Sequence, residues 1–416
     1  MQSHPDAARY RVNIVGAFQL ALLMFILTAL IGLANALRIF GTLDRNTLLT
    51  HLHSGTLGWI TMGVIGLALW IYGGAEKAQP GDGRMRTMVL LSGAITALYI
   101  LAFWSGNFQL RAVSGTAMLA VVLGWWMWVF RRASAIGFGK LDVPRLALVL
   151  ALTTLTIGST IGVIVQVIFA SGRPVSTVGE MVGAHASAQV GGYLVLAAIA
   201  VGEWRLRKDG GARSMWGVAQ CWLLFISGLA YTIGSFDTLF GGAPAAGLPL
   251  QLLGTVFQLV GMIVFVVRNG RAALRTSWSA GTGARHFAIS VPFLVLGLIL
   301  FVTLISLIGQ NAGDFTKIPP GIIHALDHTM FIGVMTNVIF GSIRELTQAR
   351  PRVWPWADHV IFWGMNLGAA GFIATLLFVG SHTAPVAYTA STMGVAVLLG
   401  IATYLMRLQS APVHPA

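Results

Sequence analysis

Apolar residues run through this chain in blocks of about twenty, not in the short alternating or amphipathic rhythms of a water-exposed fold. Twelve such blocks follow one another, at about residues 12–37, 49–74, 87–107, 111–130, 146–171, 180–204, 214–236, 247–267, 286–309, 320–343, 357–380 and 385–406. Each is long enough for a helix to cross the ~30 Å hydrocarbon layer of a bilayer. Short polar connections with Gly, Pro and Arg separate them, with no soluble domain, long linker or low-complexity tail. The pattern predicts an all-α integral membrane protein, a single twelve-helix transmembrane domain over residues 1–416. The first block follows Arg9 and Arg11, is longer than a signal-peptide core and lacks a small-residue cleavage site, so it reads as a retained span.

Composition agrees. The chain is 56% hydrophobic and 9% charged, against roughly 25% charged residues in soluble proteins. Its formal charge of +13 is unevenly distributed. Of the 26 Lys and Arg, 21 lie in the two terminal segments and the even-numbered connections; Arg38, Arg45, Arg111, Arg173 and Lys317 are the rest. The positive-inside rule then places both termini in the cytoplasm, as an even span count requires, with the protein in the inner membrane. Orientation and contact with anionic lipid account for the basicity, and no nucleic-acid partner is expected. The one cysteine, Cys221, excludes an internal disulfide and a cysteine-ligated cluster.

The polar exceptions inside the spans are histidines. Ten occur in the chain: His4 and His414 in the tails, His286 and His359 near cytoplasmic helix ends, His382 in the last outer loop. The other five are His51, His53, His185, His324 and His328. All fall in the first parts of spans 2, 6 and 10, hence toward the outer face. Aligning Gly58, Gly192 and Gly333 brings His53, Ser187 and His328 into register, with His51 and His185 both two residues earlier. Spans 2, 6 and 10 are spaced four apart, so the alignment predicts threefold pseudosymmetry, three units of four helices. A lone histidine near a helix end is ordinarily a hydrogen-bonded interfacial residue. Five at one depth on three related helices point instead to a metal or haem site facing the bundle interior.

Helix geometry sharpens this. At about 100° per residue, His51 and His53 diverge by about 200°, whereas His324 and His328 share one face. Haem iron takes two axial imidazoles from opposite sides. Zinc prefers a closed tetrahedral set with Cys or carboxylate, and the only nearby acids are Glu180 and Asp327. The isolated polar residues Thr61, Thr336 and Asn337 fit ordinary interhelical hydrogen bonds better than a proton relay.

Twelve spans with histidines on spans 2, 6 and 10 resemble the catalytic subunit of the haem-copper oxidases and their nitric oxide reductase relatives. The stretch His51–Trp59, "HLHSGTLGW", is similar to the H-x-H-S-G-x-L-G-W signature of the cbb3-type branch, where it lies on helix 10 rather than on helix 2. The stretch "HALDHTMFIG" resembles NnrS-type haem proteins. The resemblance implies b-type haem, with His53 and His328 as axial ligands of one low-spin haem and His185 matching a copper ligand. It also implies a second haem, for which His51 or His324 would have to serve because Leu326 stands at the family's ligand position. The family's adjacent histidine pair on helix 7 is replaced by Gly228 and Leu229, so haem iron without stoichiometric copper is expected. The expected function is electron transfer or binding of a diatomic gas, nitric oxide or oxygen. Two alternatives stand beside it: a nitric oxide or oxygen reductase whose second metal is held by His51, His185 and His324, and a twelve-helix secondary transporter. The electron donor would be a cytochrome c or a quinol, and further membrane subunits are conceivable partners. The chain has no C-x-x-C-H, so a cytochrome c would be a separate protein.

Overall fold

The computed structural model describes residues 10–73, 83–173, 175–311, 313–350, 353–381 and 383–410. His4, His382 and His414, and the basic residues Arg9, Lys77 and Arg352, lie outside the described residues. The described residues form helices and connections, without strands. Twelve helices are long and apolar enough to span a membrane: α1 (Arg11–Ala36), α2 (Arg45–Gly73), α3 (Gly83–Ser105), α4 (Phe108–Ile136), α5 (Val143–Ser171), α6 (Val178–Leu206), α7 (Met215–Gly234), α8 (Leu248–Leu274), α9 (Ala284–Gln310), α10 (Pro320–Leu346), α11 (Ala357–Phe378) and α12 (Ala384–Gln409). Each expected apolar block has its helix. The largest overruns are at the ends of α4 and α8, where Arg131 and Arg132, or Arg268 and Arg271, end the hydrophobic block but not the helix. Long basic side chains can leave their stems on the helix and reach for polar partners.

Four of the spans start where a side chain supplies an acceptor for their first amides. Asp44 caps α2 through the amides of Asn46 and Thr47, Asn107 caps α4, Asp142 caps α5 and Ser214 caps α7. The Asp44 carboxyl, just outside the span, is held below the usual carboxylate range by the Thr47 hydroxyl and the capped amides.

The odd helices and α4, α8 and α12 surround α2, α6 and α10. Of the most apolar stretch of each span, 89%, 72% and 67% is buried in α2, α6 and α10, against 33–56% in the other nine. The outer helices turn large apolar side chains such as Leu101, Val267 and Leu367 outward, where they contact lipid. The protein is thus a multi-pass membrane protein, and five of its histidines, His51, His53, His185, His324 and His328, stand on its three most central helices. Below, the "termini face" is the end of the bundle at which α1 begins and α12 finishes; α2, α6 and α10 begin at the "far face".

Candidate functional site

Along the three central helices burial changes abruptly at the aligned glycines. Residues 58–73, 191–203 and 333–344 are buried without exception. Toward the far face the same helices keep accessible positions, including His51, His53, His185, Ala186, Asp327 and His328. His51, His53, His185 and His328 are surrounded by protein, yet each retains accessible surface, unlike the sealed residues beyond the glycines.

Each central helix also widens at that boundary. The α-helical turns give way to π-helix over Ser54–Thr61, Ala188–Leu194 and Thr329–Thr336, in each case starting on the residue after His53, Ser187 or His328. Thr61 and Thr336 donate to the carbonyls five residues back, Thr56 and Phe331, at 2.9 and 2.8 Å. Single π-helical turns inside α-helices recur at functional sites.

The imidazoles fall into two kinds. His51 and His185 are held by the preceding helix. His51 Nδ1 bonds the Thr28 carbonyl of α1 at 2.9 Å, and His185 Nδ1 bonds the Gly158 carbonyl of α5 at 2.7 Å. Both rings lie on a glycine one turn further along: a Cβ at Gly32 would sit 2.8 Å from His51 Cε1, and one at Gly162 would sit 2.8 Å from His185 Nδ1. His53 and His328 bond back along their own helices instead, Nδ1 to the carbonyls of Leu49 at 2.7 Å and His324 at 2.8 Å. Each of these two rests on an aromatic ring of the following helix. His53 stacks on Phe103 of α3 with centroids 3.7 Å apart, and His328 meets Phe372 of α11 edge-on at 4.8 Å.

A carbonyl only accepts, so Nδ1 carries the proton in all four rings and the neutral imidazole keeps its lone pair on Nε2. Among the described residues these four Nε2 atoms have no hydrogen-bond partner. An Nδ1–H fixed by a carbonyl is the usual outer-shell arrangement of a metal-binding histidine.

The structure brings His51 close to His324 and His328, near enough for their charges to interact, and likewise brings His53 close to His185. His51, His185 and His324 do not converge: among the described residues no three of His, Cys, Asp or Glu are grouped to hold one metal ion. Paired neutral imidazoles suit iron inside a macrocycle, which brings four nitrogen ligands of its own. Gly228, where the sequence resemblance would place a copper ligand, is a backbone contact; a Cβ there would lie 2.7 Å from Gly192 Cα. No imidazole fits there.

Below the histidines the central helices are tied together. Trp59 Nε1 on α2 donates to Thr336 Oγ1 on α10 at 2.9 Å, and Tyr193 Oη on α6 donates to Thr61 Oγ1 on α2 at 3.3 Å. Asn337 is bonded to His286 and Asn366. These residues make the interhelical hydrogen bonds expected of them, and together the two aromatic–threonine bonds form a floor beneath the histidines. Sequence reading missed the floor and the two glycine seats. Its only trace of the seats was Thr28-x-x-x-Gly32 and Gly158-x-x-x-Gly162, the small-x-x-x-small pattern of close helix contacts.

Compared with known protein-family models and with curated proteins, the chain matches none significantly.

Proposed function

We propose that this protein is a b-type haem protein of the inner membrane, related in architecture to the haem-copper oxidases, that transfers electrons or binds a diatomic gas. The observation that carries this reading is the set of four imidazoles on the central helices, each anchored through Nδ1 to a backbone carbonyl and each presenting an unpartnered Nε2 at one depth. In this reading His51 and His328 hold a haem between α2 and α10, with His324 one turn from His328. The iron, when bound, supplies a one-electron couple. The chain fixes the ring planes through the Thr28 and His324 carbonyls, supports His328 on Phe372, and closes the termini side with the Trp59–Thr336 bond. Both termini lie in the cytoplasm, and the electron donor is a cytochrome c or a quinol at the membrane.

Support for a threefold origin comes from helix pairing. Gly58, Gly192 and Gly333 pack on Met24, Thr154 and Phe293 of the preceding helix. Eight residues after those three stand Gly32, Gly162 and Phe301. We take the three four-helix units to descend from one.

The test is optical. A reduced-minus-oxidised spectrum and a pyridine haemochrome assay of the purified chain should report haem b, and metal analysis should find iron without stoichiometric copper. A colourless protein would overturn the reading. It would favour the transporter alternative, to which a central space closed on one side is also suited. One copper per chain, lost on His185→Ala, would favour the reductase alternative.

A further inference from the structure

The three central helices are joined in a cyclic order that assigns the histidines to clefts. Number positions from the aligned glycine. The aromatic residue at the next position, Trp59 or Tyr193, donates to the threonine three positions after the glycine on a neighbouring helix, Thr336 or Thr61. So α2 hands on to α10, and α6 hands on to α2, by the same bond. The third link, α10 to α6, would run from Val334 to Val195, which have no polar group to make it.

Histidines follow the same order. The kind held by the preceding helix is His51 on α2 and His185 on α6; the corresponding residue on α10 is Leu326. The kind bonded back along its own helix is His53 on α2 and His328 on α10; the corresponding residue on α6 is Ser187. His51 and His53 point about 200° apart, so they cannot serve one macrocycle from the same side of α2. The α2–α10 cleft therefore holds one imidazole of each kind, His51 and His328. The α6–α2 cleft also holds one of each, His185 and His53, and these two lie within electrostatic reach of each other. The α10–α6 cleft holds Leu326 and Ser187. There Phe301 occupies the place of the glycine seat, and Leu326, Phe301, Gly297 and Val195 line a small apolar void of about 10 Å³. Ser187 is taken up by a bond to Ser235, just past the end of α7, at 3.3 Å.

We infer that the cleft between α2 and α6 is a second bis-histidine haem site, with His53 and His185 as its axial ligands, equivalent by rotation to the His51–His328 site, and that the third equivalent cleft has been closed. This rests on the haem reading above and extends it. Two geometries argue for it together: both imidazoles are pre-set with Nδ1 bonded and Nε2 unpartnered, and both are seated by contacts matching those of the first pair, the glycine under His185 at Gly162 and the aromatic under His53 at Phe103. His185 is then an iron ligand, not a copper ligand. If haem is bound in both clefts, two imidazoles would hold the iron in each, which would favour electron transfer over gas reduction.

The experiment is haem counting with spectroscopy on the purified full-length chain. Two haems b per chain are expected, both low-spin by electron paramagnetic resonance in the ferric state. His185→Ala should remove the low-spin signal of one haem, by loss or by conversion to high spin, and leave the other intact. His328→Ala should do the converse, and Leu326→Ala should change neither. His185→Gly purified with imidazole should recover the second low-spin signal, which separates lost ligation from lost folding. One haem per chain, untouched by His185→Ala but lost on His328→Ala, would overturn the second site and leave the haem reading standing. Absence of haem would overturn both. Two haems with signals indifferent to His53→Ala and His185→Ala would overturn the assignment, as would loss of both haems in His185→Ala with no recovery in His185→Gly plus imidazole.

Discussion

Gly32 and Gly162 are set by the rings they face. Any side chain at 162 would begin 2.8 Å from His185 Nδ1 and 2.9 Å from its Cε1, so the imidazole would have to leave its bond to the Gly158 carbonyl. Gly162→Leu is expected to destabilise the protein by about 1–3 kcal/mol, the usual cost of overpacking. It should also disturb the same low-spin signal as His185→Ala. Gly124→Ala is the control, since a Cβ there meets nothing within 4 Å. It should be neutral or stabilising by up to ~1 kcal/mol through helix propensity. Thermal unfolding in detergent, with the spectrum recorded in parallel, checks both; equal effects at 162 and 124 would remove the ring-seat argument.

At the scale of the helix, the π turns and the floor are one device. A π turn carries an extra residue per turn and shifts the side chains after it around the axis, so the same helix presents histidines to a space above and a packed face below. Trp59 is stacked on Phe25, with centroids 4.4 Å apart and planes 2° from parallel, as it donates to Thr336. Trp59→Phe keeps the stack and loses the bond. The double-mutant cycle of Trp59→Phe with Thr336→Val should return a coupling of about 0.5–1.5 kcal/mol, the ordinary net worth of such a bond. A coupling near zero would mean that the floor is held by packing alone. The sequence made this device half legible. The glycine register, which needs no more than comparison of "HSGTLGW" with "HTMFIGV", is also the register at which the π turns begin. The π turns themselves were not visible, because Thr61 and Thr336 look like any helical threonine until their bonds to carbonyls five residues back are seen. Register along a helix says which residues share a depth, but only the order of helices around the bundle says which of them face each other.

At the scale of the molecule, hydropathy determines nearly everything about the number and length of the spans, because a bilayer leaves the backbone little choice but helix. It says little about charge at the termini face. Glu203 and Asp358 read as helix-end acids, but both are sealed. Glu203 takes Arg268 through both carboxylate oxygens, at 2.9 and 2.8 Å, with Gln220 and Asn269 beside it, and Asp358 takes Arg407 at 2.6 Å. The partners are 65 and 49 residues away, so no local pattern announces them. Glu203→Ala leaves Arg268 buried without its counter-charge and should cost about 3–5 kcal/mol, read as lost thermal stability. Topology is tested separately. Reporter fusions after Phe40 and after Gly313 should read as external; a cytoplasmic signal from either would reverse the orientation.

The depth of the histidines has an electrical consequence. His53 stands eight residues from the start of α2 and twenty from its end, and His185 and His328 are seven and eight residues into α6 and α10. At 1.5 Å per residue that is about 12 Å from the far face and about 30 Å of sealed helix from the termini face. A transmembrane voltage falls mostly across the longer, closed part, so a charge placed at the imidazoles feels only about a quarter to a third of it relative to the far face. At 100 mV that is under ~1 kcal/mol per charge. Because both proposed clefts lie at one depth, an electron passing between them would move parallel to the membrane and cross almost none of the field. In proteoliposomes, the reduction of the haem in one cleft relative to that in the other should therefore stay constant as the membrane is polarised. A shift in their relative reduction of the full ~100 mV per 100 mV imposed would place them at opposite surfaces.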